Sequence, residues 1–139
     1  MSQRKFILLS IFKTWFIATL ISTVILIIYM MITELPREYE RPRNCDMSGI
    51  AYGLMMLWIL SVSIVSFSSL FSLLKPFQGK TKKWLCWFLL PMLTAGYFFV
   101  GISDGKIDRE GVIYFLIVNL PWFTLWGLYY YRFNSLFKQ

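Results

Sequence analysis

Thr14–Thr33, TWFIATLISTVILIIYMMIT, is twenty residues long and carries no charge. As a helix it rises about 30 Å, the thickness of a bilayer's hydrocarbon core. A helix on the surface of a water-soluble domain keeps charges along its outer stripe, and this one has none on any face. Three more uncharged runs follow, Ile50–Leu74, Trp84–Ile102 and Val112–Tyr131. The pattern predicts an all-α membrane protein, a single domain of four transmembrane helices in an antiparallel bundle. Its spans are 14–33, 50–74, 84–102 and 112–131.

Composition agrees. Apolar residues make up 58% of the 139, against roughly 45–50% in soluble domains. Charged residues are 15%, against about 25%, and almost all lie between or outside the runs. The stretch Phe6–Phe12 ahead of Lys13 reads as an interfacial extension of the first helix, with Lys13 snorkelling to the headgroups. That first run exceeds a signal peptide's apolar region, and no small-x-small cleavage site follows it, so it is expected to be retained.

Basic residues set the orientation. Arg4, Lys5, Lys13, Lys75, Lys80, Lys82, Lys83, Arg132 and Lys138 fall on one side with no acidic residue among them. The other side has Arg37, Arg41, Arg43, Lys106 and Arg109, together with every carboxylate: Glu34, Glu38, Glu40, Asp46, Asp104, Asp108 and Glu110. By the positive-inside rule both termini and the loop 75–83 face the cytoplasm, and loops 34–49 and 103–111 lie outside. The net charge of +7 thus reads as topology and attraction to anionic lipid. No basic stripe along one face suggests nucleic acid. Trp84, Trp87 and Tyr129–Tyr131 are expected as the inner aromatic belt, and Tyr29, Tyr52, Tyr97 and Tyr114 as the outer one.

No Asp, Glu, Lys, Arg or His lies in the interior of any span, and the chain has no histidine. Such groups cost roughly 2.5–3.5 kcal/mol each at the bilayer centre and mark proton or ion pathways. In size and helix number the chain resembles small multidrug transporters, which rely on a glutamate buried in the first helix. Glu34 stands only at that helix's outer end, so the resemblance stops short of the residue that carries transport.

The polar residues that remain are candidates for helix packing or for a path through an oligomer. Span 2 holds Ser61, Ser63, Ser66, Ser68, Ser69 and Ser72. At α-helical spacing Ser61, Ser68 and Ser72 fall within about 40° of one another. Such a stripe suits close helix contact. Pro91 and Pro121 each free the carbonyl four residues earlier, at Trp87 and Ile117, and predict kinks. Asn119, two residues before Pro121, is expected to bond a neighbouring helix or an exposed carbonyl. The segments Leu90–Thr94 and Leu120–Thr124 share a Leu-Pro-x-apolar-Thr pattern that short apolar sequence produces by chance.

Cys45 and Cys86 fall on opposite sides of the expected membrane and cannot pair within the chain. No phosphate loop, metal-ligand pattern or nucleophile elbow is present. Neither a cofactor nor enzymatic activity is expected. In the first outer loop Arg37, Glu38, Glu40, Arg41, Arg43 and Asp46 mix both signs around Pro36 and Pro42. They form a solvated loop and the candidate contact for a partner.

Three functions fit such a chain in a bacterial inner membrane. The first is binding a membrane-embedded partner. Some bacteriocin immunity proteins, four-helix inner-membrane proteins with cytoplasmic termini, are similar in layout, and that resemblance implies a membrane-targeting toxin as partner. The second is a homo-oligomeric channel or small transporter, and the third an accessory subunit of a larger membrane complex.

Overall fold

The computed structural model describes residues 2–34, 48–77, 79–102 and 109–137. Among these the chain is all-helical, with four helices long and apolar enough to cross a membrane. They are α1 (Gln3–Glu34), α2 (Ser48–Val65), α3 (Lys80–Ile102) and α4 (Arg109–Leu136). Each helix overruns its uncharged run at one end or both. Lys and Arg are good helix formers, and their long side chains reach water from within a helix. Lys13, Lys82 and Arg132 are exposed on helical backbone in this way.

Span 2 departs from the expected continuous α-helix. After Val65 the backbone tightens into a 3-10 helix, Ser66–Leu73, followed by a single turn, Lys75–Phe77. An eight-residue 3-10 run is long for this geometry. Its serines supply a local cause. The Ser72 hydroxyl donates to the Ser69 carbonyl three residues back at 2.6 Å, and the Ser66 hydroxyl donates to Val62 at 2.7 Å. Hydroxyls bonded back to the main chain in this way compete with the regular α ladder.

The contacts define a closed square with one short diagonal. Phe6 meets Tyr129, Phe133 and Phe137, while Ser22 meets Ile117, so α1 and α4 run antiparallel. Ser68 bonds Cys86 and Trp58 stacks on Phe98, which sets α2 antiparallel to α3. Trp87 against Trp126 and Phe99 against Phe115 do the same for α3 and α4. α1 also packs on α2 and on the 3-10 segment, and α2 touches α4 across the middle, but α1 and α3 do not meet.

The buried face of α1 is a ladder of small residues at spacing four: Ser10, Thr14, Ala18 and Ser22, each at most 2% exposed. Small side chains let backbones approach closely, and α1 and α4 form the most extensive helix pair. On α4, Trp122, Trp126 and Phe133 fall at spacings of four and seven and are buried. Phe133 meets Phe6 of α1, whereas Trp122 reaches Ser63 of α2 and Trp126 reaches Trp87 of α3. The outer faces are as apolar as the interior: Phe12 is 62% exposed, Met31 64% and Leu93 60%.

The ring closure is directly testable in a chain with Cys45 and Cys86 replaced by serine. Oxidation should link Phe6→Cys to Phe133→Cys, whose aromatic centroids lie 6.0 Å apart. It should not link Phe6→Cys to Leu85→Cys on the diagonal helix. The reverse outcome on non-reducing gels would refute this helix order.

Candidate functional site

Of the candidates named from the sequence, Ser72, Pro91 and Pro121 lie along a polar seam inside the bundle. Its logic starts from the prolines. Pro91 and Pro121 sit within α3 and α4, and both are buried. Each lacks an N–H, so the carbonyls of Trp87 and Ile117 lose their helical donors. Both carbonyls are recovered from another helix. The Trp126 indole N–H of α4 donates to the Trp87 carbonyl at 2.9 Å, and the Ser22 hydroxyl of α1 donates to the Ile117 carbonyl at 3.0 Å. The two Leu-Pro segments also share a second feature. Thr94 and Thr124 each return a hydroxyl to the leucine carbonyl four residues back, at 2.9 and 2.7 Å.

Around these bonds lie four fully buried tryptophans, Trp58, Trp87, Trp122 and Trp126. The Trp87 and Trp126 rings lie 4.6 Å apart, and Trp126 and Trp122 lie 5.4 Å apart. Phe133, Phe6 and Phe137 continue the column toward the chain termini. Aromatic pairs of this kind are each worth about 0.5–1.5 kcal/mol beyond area burial. Buried indoles also require acceptors, and the serines provide them. Trp122 donates to the Ser63 hydroxyl at 3.1 Å and Trp87 to Ser72 at 3.4 Å. Trp58 instead stacks on Phe98 with 5.4 Å between centroids, and its N–H has no partner.

The serines are arranged differently from the sequence expectation. At three residues per turn, positions i and i+3 eclipse. The inward edge of the 3-10 segment is therefore Ser66, Ser69 and Ser72, and Ser63 in the last turn of α2 precedes them, all four buried. The predicted alignment of Ser61 with Ser68 and Ser72 fails because the backbone is not α-helical beyond Val65. Ser61 is half-buried and spends its hydroxyl on Leu57 of its own helix. Ser68 is buried on a neighbouring edge, where its hydroxyl donates to the Cys86 carbonyl of α3 at 2.9 Å. Ser72 belongs to the seam. Asn119 is also buried, with its amide bonded to Phe115 one turn back at 2.9 Å. The carbonyl freed by Pro121 is taken by Ser22, which sequence reasoning missed.

Two aromatic assignments also change. Trp87 is a core residue with 0% exposure, whereas the belt position was expected to be interfacial. Tyr114 is half-buried and ties α4 to α2 through its hydroxyl, which donates to the Ala51 carbonyl at 2.6 Å. Trp84, Tyr97 and Tyr131 do lie exposed. The outer-loop candidates Arg37, Glu38, Glu40, Arg41, Arg43 and Asp46, with Cys45, fall outside the described residues.

Chemically, the seam consists of hydroxyls, one amide, indoles and backbone carbonyls. It contains no acid or base. Among the described residues no three His, Cys, Asp or Glu side chains cluster. The arrangement bonds helices to one another at defined points, and the Thr14 and Ser69 hydroxyls, like the Trp58 indole, are buried without a partner among the described residues. The missed signal was readable as the spacing-four run Ser10, Thr14, Ala18, Ser22 and as the Trp122–Trp126 repeat. The class defined by fold and site is a four-helix chain able to cross a membrane, closed by proline-linked cross-helix bonds. No protein-family model, curated protein or solved structure matches it.

Ser22→Ala should destabilise the fold by about 0.6 kcal/mol, the average for hydrogen bonds between membrane helices, and by at most about 1.7 kcal/mol. With Pro121→Ala also present, the Ile117 carbonyl regains a helical donor and the same Ser22→Ala change should cost measurably less. Reversible unfolding in mixed detergent micelles gives both numbers. Equal costs in the two backgrounds would disprove the bond's role.

Proposed function

We propose that this chain is an integral protein of a bacterial inner membrane, with both termini in the cytoplasm, and that it acts by binding a membrane-embedded partner. Insertion is supported by the continuous apolar exterior of four membrane-length helices. Orientation is supported by the nine basic residues and absent carboxylates at the end that holds both termini and the Lys75–Lys83 turn. In one form the partner is a membrane-targeting toxin and the chain is its immunity protein.

One observation carries the partner-binding reading over a conducting one. Most interior polar groups bond within the chain, around a column of packed indoles, and Thr14, Ser69 and Trp58 are the buried groups left without a partner among the described residues. A path along the serines would have to displace Trp122 from Ser63 and Trp87 from Ser72. The lipid-facing helix surfaces remain uncommitted. One of them, between α1 and α2, forms a groove of about 270 Å³ bordered by Phe12, Trp15, Leu60 and Phe67.

The experiment places a photoreactive residue at Leu60 or Phe67 in native membranes. The reading expects cross-links to a different polypeptide from these sites, and none from the same residue placed at Leu93. Cross-links to copies of this chain alone would overturn it. So would ion flux in liposomes that exceeds empty vesicles and is abolished by Asn119→Leu or Ser68→Leu. Topology is checked separately. Tags on both ends should label only after the cytoplasmic membrane is permeabilised, and labelling of intact spheroplasts would reverse the orientation.

A further inference from the structure

The outer face of the 3-10 segment and the first turns of α3 enclose a groove of about 550 Å³. That is within the roughly 300–1,000 Å³ of small-molecule sites. Phe71 and Leu74 form one wall, and Leu85 and Leu89 form the other. Ser68 also lines it, but its hydroxyl is committed to the Cys86 carbonyl. The walls are thus almost wholly apolar, and an occupant that needs no hydrogen bond from them fits best.

One end is charged. Lys82 lines the groove there, and its ammonium donates to the Pro76 carbonyl at 3.1 Å. That bond uses one of three N–H donors and fixes the charge at the groove's mouth. Lys80 and Lys83 flank it in the first turn of α3. No aspartate or glutamate occurs anywhere between Asp46 and Asp104, so no carboxylate from α2, the 3-10 segment or α3 neutralises this cluster. An apolar trough ending in unpaired ammonium groups matches one chemistry, a hydrocarbon chain with an anionic head.

We infer that the groove is a binding site for an anionic phospholipid of the cytoplasmic leaflet. One acyl chain lies between Phe71 and Leu89, and the phosphate lies against Lys82. A neutral lipid's chain would fill the trough equally well, so selectivity resides in the charge at the mouth. A lysine set against the bound headgroup, as Lys82 is at the groove's mouth, contributes about a fivefold preference for anionic lipid. The inference rests on the membrane insertion proposed above, and the two fail separately. A chain that is monodisperse without detergent refutes insertion, whereas an inserted chain with no headgroup preference refutes only the lipid site.

The test is native mass spectrometry of the full chain purified in detergent, titrated with phosphatidylglycerol and phosphatidylcholine of identical acyl chains. The wild type should retain phosphatidylglycerol about fivefold or more over phosphatidylcholine. Lys82→Gln should lower that ratio about fivefold, and Lys5→Gln, an exposed position that does not line the groove, should leave it unchanged. Leu89→Trp, an exposed position on the groove wall, should reduce retention of both lipids while the helical content stays that of the wild type. Equal retention of the two lipids, equal losses from Lys82→Gln and Lys5→Gln, or unaltered binding in Leu89→Trp would each overturn the site.

Discussion

A backbone carbonyl without a donor is the constraint around which this bundle is organised. In hydrocarbon no water can replace a missing helical N–H, and each unsatisfied group costs several kcal/mol. Pro91 and Pro121 create two such carbonyls near the middle of their helices. Trp126 and Ser22 answer them from neighbouring helices. Each bond joins a defect in one helix to a particular residue of another, so it fixes both the choice of neighbour and the register. Apolar contacts alone would do neither well, because lipid tails solvate leucine as readily as a second helix does.

The same need to satisfy polar groups accounts for the serine-rich half of span 2. Buried indoles require acceptors, and Ser63 and Ser72 accept from Trp122 and Trp87. A 3-10 backbone brings every third residue to one edge, which aligns Ser66, Ser69 and Ser72 along the interior, below Ser63 at the end of α2. It also lengthens the segment, at about 2.0 Å per residue against 1.5 Å. The weaker main-chain geometry is offset by hydroxyls bonded back to Val62 and Ser69 and across to Cys86. Small residues on α1 and large ones on α4 complete the packing.

Much of this was legible in the sequence, for a physical reason. Uncharged runs of membrane length admit few structures, since a lipid-exposed backbone must satisfy itself internally. The four helices followed directly from that. Which face of each helix turns inward was far less legible. In a soluble helix the polar stripe points outward and reveals the core, but here Phe12 outside and Ile11 inside are both apolar. The face is encoded instead by size, as in Ser10, Thr14, Ala18 and Ser22, and by the indole repeat of α4. Trp87 was misplaced because tryptophan near a lysine cluster is typical of an interface. Its burial depends on Trp126 and Phe133, which only the tertiary structure brings to it. The serine edge was misaligned because a 3-10 run leaves no clear mark in composition.

The commitment of the interior bears on where activity can reside. Opening a conduit through this bundle would separate indoles from serines and expose two proline-orphaned carbonyls at once. Those costs fall on the same few bonds that hold α1, α3 and α4 in register. The exterior carries no such commitment. Its helix faces are apolar but uneven: one groove between α1 and α2 is lined by apolar side chains and Ser63, and another ends on Lys82 beside α3. A protein built in this way keeps its shape fixed and presents its differences in surface relief and charge to whatever lies beside it. The proposed binding of a membrane-embedded partner would use that exterior and leave the interior bonds intact.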